Sequence, residues 1–413
     1  MYFVLHLGGI LLRTRPKVTI VSVKRWDYFQ WFLLGFYELE QDGLIDLEIS
    51  CSIIERNFLW FPSRFAQRVG NRFLREYRKR YEDSYHLVGK IEYPDGRKRR
   101  FCIDSADAPF LFDRDILEQT DAYFKMQCPL RFETGGFRLS KNVVAPWCDH
   151  QHRDAALGLT VRGARKPFPD IVSFVEKIHP LMIGPRRLSL GNRFENLRKG
   201  YQNYVSSYSV QKKKRIMCYF GNARGPQPEK DVSRETVDWD WEADILGVYD
   251  GVLEHPNVKR AHIADLITSM GNDCDARVIS RGVSDSSDSV KDATKTVPLE
   301  EFCAFVAQFQ YNTNISGYRL SIPNRFIESF MVGTAIITDK CSVRWYLPFD
   351  SCEVIETVRM GYELEADVDW ERVCEQLQHL PVSDPARIRA AFERKWKPNV
   401  VAQYIVDTVG ETI

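Results

Sequence analysis

The residues best suited to chemistry lie in the stretch "SGYRLSIPNRFIESFMVGTAIITD", residues 316–339. Arg319 and Arg325 lie on either side of a proline, and Glu328 follows three positions after Arg325. Arginine binds phosphate oxygens through paired hydrogen bonds, and a carboxylate can accept hydrogen bonds from two neighbouring hydroxyl groups. The start of a helix adds unpaired N–H groups and positive potential. This pattern predicts a site for a negatively charged ligand that carries hydroxyl groups.

A glycine-rich turn supplies a second part of this predicted site. The strand-like run "RIMCYF" leads directly into "GNARG", residues 221–225. Gly221 and Gly225 would let a ligand approach the backbone closely, and Arg224 adds a positive charge. Both segments lie at the ends of predicted strands, which is where open α/β sheets bind ligands. Their joint placement favours one shared binding site.

Packing offers a second interpretation of the same residues. Arg325 and Glu328 are three positions apart, which is the spacing of an ion pair on a helix surface. Arg224 and Arg319 would then be surface arginines, and residues 316–339 would be a helix followed by a buried strand. The sequence leaves both interpretations open.

Three further segments offer candidates for proton transfer. Asp27 directly follows the first predicted strand, Asp104 and Asp107 lie in "IDSAD", and His150 lies in "CDHQHRD". A carboxylate or an imidazole can act as a general base toward a hydroxyl group. Asp27 is equally suited to cap the helix that begins after it, and the other segments are equally suited to solvated loops.

The sequence does not predict a bound metal ion. D-x-D triplets occur, among them those at 238–240, 273–275 and 367–369, but the triplet is short and arises readily by chance in a chain with 56 aspartates and glutamates. Asp238 and Asp240 precede a predicted helix and are suited to cap it. No C-x-x-C pair occurs among the ten cysteines, so a structural zinc site has no support.

The length and charge of the chain limit its class. Its 413 residues are too many for one ordinary core and predict two domains of roughly 200 residues each. The chain has 57 lysines and arginines against 56 aspartates and glutamates, so it lacks the basic excess of a protein that coats nucleic acid. The scattered cysteines favour free thiols in a reducing compartment, which predicts a cytoplasmic protein.

Two segments raise the question of contact with a membrane surface. The first twelve residues are apolar and are followed by basic residues, the reverse of the order in a secretory signal. Residues 58–83 interleave aromatic and basic side chains. A buried strand or an irregular lead-in explains the first segment, with a membrane-surface anchor as the alternative. A helix with a solvated face explains the second segment, with an acidic partner or a membrane surface as the alternative.

The order of elements predicts an α/β fold. "KVTIVSV", "DYFQWFLLGFYELEQDG" and "LIDLEIS" form a strand–helix–strand unit over residues 17–50, which implies a parallel sheet. A hairpin is predicted around residues 94–96, strands over 215–220, 259–263 and 277–280, and a helix over 240–254. The end of the chain is helical, and Pro398 should kink or break it.

The stretch "IPNRFIESFMVGTAIITD", together with two predicted α/β domains, resembles the GT-B glycosyltransferases, closest to exostosin-like and bacterial surface-polysaccharide enzymes. The resemblance is specific over residues 303–345 and architectural elsewhere. It implies two Rossmann-like domains facing each other across a cleft. The acceptor-side domain would be 1–207, joined by helix 385–413, and the donor domain would be 208–384. The implied donor-binding residues are Gly221, Arg224, Gly225, Arg319, Asn324, Arg325 and Glu328.

The resemblance further implies transfer of a sugar from a nucleotide-sugar to a glycan or glycolipid acceptor, without a metal or cofactor, in the cytoplasm or at the inner face of a membrane. Asp27, Asp107 and His150 are then the catalytic candidates. Leu320 stands eight positions before Glu328, where many retaining members carry a second glutamate, so that subclass's mechanism is not implied. A non-catalytic nucleotide- or sugar-binding module and a nucleotide-sugar epimerase are the alternatives.

Overall fold

The structure is a computed structural model. The described residues are 14–23, 26–50, 85–106, 112–129, 132–138, 143–148, 166–167, 169–189, 193–208, 213, 215–223, 260–280, 297–315, 322–338, 341, 343–356 and 370–412. They form sheets with parallel strands together with several helices, so the predicted α/β class is confirmed.

The strands fall into two main sheets and two smaller ones. In chain order they are β1 Lys17–Val23, β2 Asp46–Ile49, β3 His86–Glu92, β4 Lys98–Asp104, β5 Phe112–Asp113, β6 Ala122–Lys125, β7 Cys128–Pro129, β8 Phe132–Arg138, β9 Val143–Cys148, β10 Lys166–Pro167, β11 Ile178–Pro180, β12 Arg215–Ala223, β13 Cys274–Ser280, β14 Phe309–Asn314, β15 Ala335–Thr338, β16 Val343–Arg344 and β17 Val354–Glu356.

The helices connect these strands and cover the sheets. They are α1 Gln30–Gln41, α2 Arg114–Gln119, α3 Phe194–Ser207, α4 over 260–269, α5 Leu299–Val306, α6 Arg325–Met331, α7 Trp370–Gln378, α8 Pro385–Lys395 and α9 Pro398–Glu411. Short 3-10 helices occupy Trp26–Tyr28 and Pro169–Lys177.

The first sheet has six strands in the order β11-β6-β4-β3-β1-β2. β1 pairs in parallel with β2, and β4, β6 and β11 are also mutually parallel. The hairpin strand β3 runs antiparallel to both β1 and β4. This sheet is therefore mixed, because a single antiparallel strand, β3, lies within an otherwise parallel arrangement.

Local sequence signals set much of this first sheet. The strand–helix–strand unit predicted for residues 17–50 is present as β1, α1 and β2. Gly43 ends the helix region with φ 70° and Gly96 makes the hairpin turn with φ 86°, conformations that favour glycine. The predicted cap by Asp27 is wrong, because Asp27 lies within the 3-10 turn and Phe29 precedes α1 without a side-chain cap.

The second sheet has five strands in the order β13-β12-β14-β15-β17, and every pair is parallel. The strand predicted at 259–263 is wrong, because α4 occupies 260–269. Arg260, Ile263, Ala264 and Ile267 are its buried residues, a spacing that matches one face of a helix. The predicted helix at 240–254 lies outside the described residues.

The C-terminal helices tie the chain together. α8 ends and α9 begins around Pro398, as the sequence predicts for a helix broken at this proline. The Trp31 side chain on α1 donates a hydrogen bond to Trp396 O, and Tyr93 Oη donates one to Val406 O on α9. α9 therefore packs against α1 and the end of β3 in the first sheet, although Tyr93 and Val406 are 313 residues apart in sequence.

The pH dependence of stability gives one test of this packing. Burial raises the pKa of Glu38 on α1 to about 6, with Asp42 adding to the effect while Arg198 and Lys397 oppose it. The folded carboxyl group binds its proton more tightly than the unfolded one. Stability contributed by this group is therefore complete below about pH 4.5 and is lost as the pH rises to about 6.

A Glu38→Gln variant should accordingly be more stable than the wild type at pH 7, by about 1 kcal/mol once solvent screening is allowed for. The difference should shrink as the pH falls through about 6 and vanish below about pH 4.5, where the Glu38 carboxyl is protonated in both the folded and the unfolded protein. Thermal unfolding of both proteins from pH 4.5 to pH 7 measures this, with Glu301→Gln, at an exposed position on α5, as the control. Equal stabilities at every pH would contradict the assignment.

Candidate functional site

The candidate site lies at the carboxyl edge of the second sheet. β12 is followed in sequence by β13 on one side, and the chain then crosses to β14 on the other side of β12. The connections from neighbouring strands thus leave in opposite directions, which opens a crevice between the ends of β12 and β14. Tyr219 in the middle of β12 is paired in register with Thr313 near the end of β14, and β12 continues beyond this pair to Ala223.

Arg325, the first residue of α6, reaches into this crevice. Its Nη1 donates a long hydrogen bond of 3.4 Å to Phe220 O on β12. The pKa of Arg325 is lowered to about 10, mainly by burial; the nearby Tyr219 opposes this effect, and the charges of Arg260 and Arg186 add to it. Among the residues that the structure describes, Arg325 has no carboxylate partner. A guanidinium held among protein atoms without a counter-charge favours a bound anion.

Gly221 makes room for this arrangement. A Cβ atom on Gly221 would lie 2.6 Å from Tyr219 Oη and 2.9 Å from Arg325 Nη1. A Cβ atom at this position would therefore force the hydroxyl group or the guanidinium to shift from its present place. The sequence analysis expected this space to serve a ligand directly, whereas two protein side chains fill it.

One of the two carboxylate oxygens of Glu328 is bound by Arg186, which follows β11 of the first sheet. Oε1 accepts a hydrogen bond of 2.8 Å from Arg186 N and lies 3.2 Å from Arg186 Nε. Oε2 is buried and has no hydrogen-bond partner in the described part of the chain. The predicted surface pair between Arg325 and Glu328 is wrong, because the side chain of Glu328 is fully buried and pairs with Arg186.

Three arginines from distant parts of the chain therefore converge here. Arg186 lies after β11 and stacks over Phe302, with its guanidinium carbon 4.8 Å from the ring centroid. Arg260 begins α4, is 4% exposed and donates to Ile315 O just after β14. The sequence analysis did not identify Arg186 or Arg260, because no local pattern marks either residue. Their proximity arises only from the crossing connections of the sheet.

Buried polar atoms near the carboxyl ends of the strands extend the site. Tyr219 Oη lies next to the guanidinium of Arg325 and favours its charge, and it has no other polar partner among the described residues. Thr313 Oγ1 and Asn314 Oδ1 on β14 are likewise without partners among the described residues. Buried polar atoms are normally hydrogen-bonded, so unsatisfied groups gathered at a crevice are candidates for ligand contacts.

The segment that carries Arg325 is docked on the first half of the chain. Asn324 Nδ2 donates to Gly184 O at 2.6 Å, so this predicted binding residue has a structural contact. Gln127 forms two hydrogen bonds with Ile322, accepting from its N–H and donating to its C=O. β7 and β16 form a further antiparallel pair between the two halves.

Of the other predicted site residues, only Asp27 and Asp104 lie in the described part of the chain. Asp27 is exposed, in the 3-10 turn after β1, and Tyr28 of that turn packs edge-on against Tyr85. Arg224, Gly225, Arg319, Asp107 and His150 lie outside the described residues. The structure therefore brings together Gly221, Asn324, Arg325 and Glu328 of the predicted set.

A buried polar cluster occupies the carboxyl edge of the first sheet. Asp104 Oδ2 accepts hydrogen bonds of 2.7 Å from Tyr123 Oη and from Lys125 Nζ, and Oδ1 accepts one of 2.7 Å from Ala106 N. Burial, with the charge of Asp104, raises the pKa of Tyr123 well above its ordinary value. Both oxygens of Asp104 are engaged, so this carboxylate holds the ends of β4 and β6 together.

Comparisons with known proteins add no assignment: no protein-family model matches this sequence, and no curated protein matches it significantly. Within the described ranges, no three His, Cys, Asp or Glu side chains are grouped so that they could hold a metal ion. No helix in the described part of the chain is both long enough and apolar enough to cross a membrane.

Proposed function

We propose that this protein is a glycosyltransferase that moves a sugar from a nucleotide-sugar donor to a carbohydrate or lipid-linked acceptor, in the synthesis of a surface polysaccharide or another glycan. The observation that carries the proposal is Arg325, which lies at the crevice of a parallel sheet without a carboxylate partner among the described residues. Arg186 and Arg260 add positive charge around it.

The charge and the position of these groups suit a nucleoside diphosphate. Arginine forks match the oxygens of phosphate groups, and the crevice at the ends of β12 and β14 is where doubly wound sheets bind nucleotides. Tyr219, Thr313, Asn314 and Glu328 offer hydrogen-bonding atoms that a nucleoside or a sugar could satisfy. Arg224, Gly225 and Arg319 belong to the proposed donor site on sequence grounds alone.

The proposed chemical step places developing negative charge on the departing diphosphate. Arg325, with Arg186 and Arg260 nearby, would stabilise that charge electrostatically. The acceptor hydroxyl would lose its proton to a general base on the first half of the chain, for which Asp27, Asp107 and His150 are the candidates. The arginines supply the positive charge in this proposal, so no metal ion is assigned a role.

The proposal also includes the finer architecture. The two main sheets would belong to two Rossmann-like domains that face each other across the donor site. Residues 322–328 are in contact with residues 127 and 184–186 of the first half, which supports that arrangement. The boundaries at 207/208 and 384/385 stay predictions, as do the cytoplasmic location and the peripheral membrane contact.

Binding without turnover is a second candidate function. One observation favours it: Asp104, a carboxylate at the carboxyl edge of the first sheet, has both oxygens engaged in structural hydrogen bonds. An enzyme needs a base that can accept the acceptor's proton, and a binding module does not.

A donor screen distinguishes these functions. Thermal unfolding with UDP, GDP, CMP and TDP should identify one nucleotide that raises the melting temperature. A ligand at a hundred times its dissociation constant adds about 2.7 kcal/mol of stability, a shift of several degrees. The matching nucleotide-sugar should then release its nucleotide, faster with an acceptor present. Binding without turnover across a broad panel would favour the module, and interconversion of donor sugars without nucleotide release would indicate an epimerase.

A further inference from the structure

We propose that Gln127 is a positioning residue for the anion site at Arg325, so that a residue of the first half of the chain sets the affinity of a site on the second sheet. The inference rests on the anion-binding part of the proposed function. It assigns to Gln127 no contact with the ligand.

The geometry of Gln127 carries the inference. The side chain is 1% exposed and lies two residues after the end of β6. Its Nε2 donates to Ile322 O at 2.9 Å, and its Oε1 accepts from Ile322 N at 3.0 Å. One amide thus satisfies both backbone groups of a residue 195 positions away. Such a two-point bond fixes the orientation of the backbone as well as its position.

The neighbours of Gln127 make this contact rigid. Cys128 and Pro129 follow immediately and pair as β7 with Arg344 and Val343 of β16. The segment 127–129 is therefore bonded to Ile322, which precedes α6 in the sequence, and to β16, which follows β15. Its position is set by two independent sets of hydrogen bonds.

The fixed position of Ile322 is transmitted to Arg325 over a short path. Only Pro323 and Asn324 intervene, and proline restricts the backbone of this link. Asn324 is held in turn by its bond to Gly184 O. The contact of Arg325 Nη1 with Phe220 O is 3.4 Å long, so that bond alone holds the guanidinium weakly. The backbone that leads into α6 must therefore contribute to placing it.

Replacement of Gln127 by methionine removes both hydrogen bonds and keeps the side chain's size. Ile322 would then have a buried N–H and C=O without these partners, and the segment would shift to satisfy them. We expect the dissociation constant for inorganic pyrophosphate, and for the nucleoside diphosphate identified by the screen, to rise roughly tenfold.

A double-mutant cycle separates positioning from a general loss of stability. Calorimetric titrations with pyrophosphate would compare the wild type, Gln127→Met, Arg325→Ala and the double variant. If Gln127 acts through Arg325, the double variant should bind no more weakly than Arg325→Ala alone. A purely structural role predicts that the two losses add.

Two further variants complete the design. Tyr93→Phe removes a different long-range hydrogen bond, from Tyr93 Oη to Val406 O, and should lower the melting temperature while pyrophosphate binds as in the wild type. If Gln127→Met does not fold, Gln127→Glu replaces it. The carboxylate can still accept from Ile322 N but cannot donate to Ile322 O.

The possible results separate this inference from the proposed function. Weaker pyrophosphate binding by the Gln127 variant, absent in the Arg325→Ala background, would support positioning. Unchanged binding, or losses that add fully, would overturn it while leaving the anion site in place. A wild-type protein that binds neither pyrophosphate nor any nucleoside diphosphate would overturn the proposed function and this inference together.

Discussion

A Gly35→Ala variant is expected to lose about 2–3 kcal/mol of unfolding free energy, even though alanine is the better helix former by about 1 kcal/mol. A Cβ atom at this position would lie 2.1 Å from Pro398 O and 2.9 Å from Ala402 Cβ. Pro398 O belongs to the backbone of α9, so no side-chain rotation can relieve the contact. The helices α1 and α9 would have to move apart and loosen the core between them.

Thermal and urea unfolding measure this loss, with Gly410→Ala as the matched control. A Cβ atom on Gly410 would approach the Tyr93 ring at 3.2 Å, and that ring can give by a small movement. We expect the control to stay within about 1 kcal/mol of the wild type. A Gly35→Ala protein as stable as the wild type would show that α1 and α9 are not packed as described.

Elements built from neighbouring residues could be predicted from the sequence. The unit of β1, α1 and β2 follows from two apolar, strand-like runs on either side of a segment whose apolar residues have helical spacing. The β3–β4 hairpin follows from the residues of its turn. The helix break at Pro398 needed only the chemistry of proline. α4 was mistaken for a strand because a short window over 259–263 hides the helical spacing that emerges over 260–267.

The residues of the candidate site were likewise predictable only where a local sequence pattern marks them. Arg325 was predicted because it stands in a local pattern next to Glu328, but the partner of Glu328 is Arg186, 142 residues earlier. Arg186, Arg260 and Gln127 reach the site only through the order of the strands and the docking of the two halves. No periodicity in a single sequence encodes those contacts, so sequence reasoning found one side of the site and missed the other.

Arg325→Ala should have the largest effect of any single change on ligand binding. The guanidinium is the predicted partner of the phosphate groups, and a hydrogen bond to a charged group is worth roughly 1.5–3 kcal/mol, or about ten- to a hundredfold in affinity. A free nucleoside has no phosphate, so its affinity should change little. The matched control is Arg215→Ala, which removes the arginine at the start of β12, away from the Phe220 carbonyl that Arg325 contacts; Arg215 is paired with Asp275.

The central claim is that the crevice between β12 and β14 binds a diphosphate through Arg325, and one titration tests it most directly. Calorimetry at fixed salt would measure a nucleoside, its diphosphate and inorganic pyrophosphate against the wild type, Arg325→Ala and Arg215→Ala. The proposal predicts that Arg325→Ala weakens both diphosphate ligands at least tenfold, leaves the nucleoside nearly unchanged, and differs in this from Arg215→Ala. Diphosphate binding by Arg325→Ala at wild-type affinity would contradict the claim, and the residues around Arg325 would then serve packing alone.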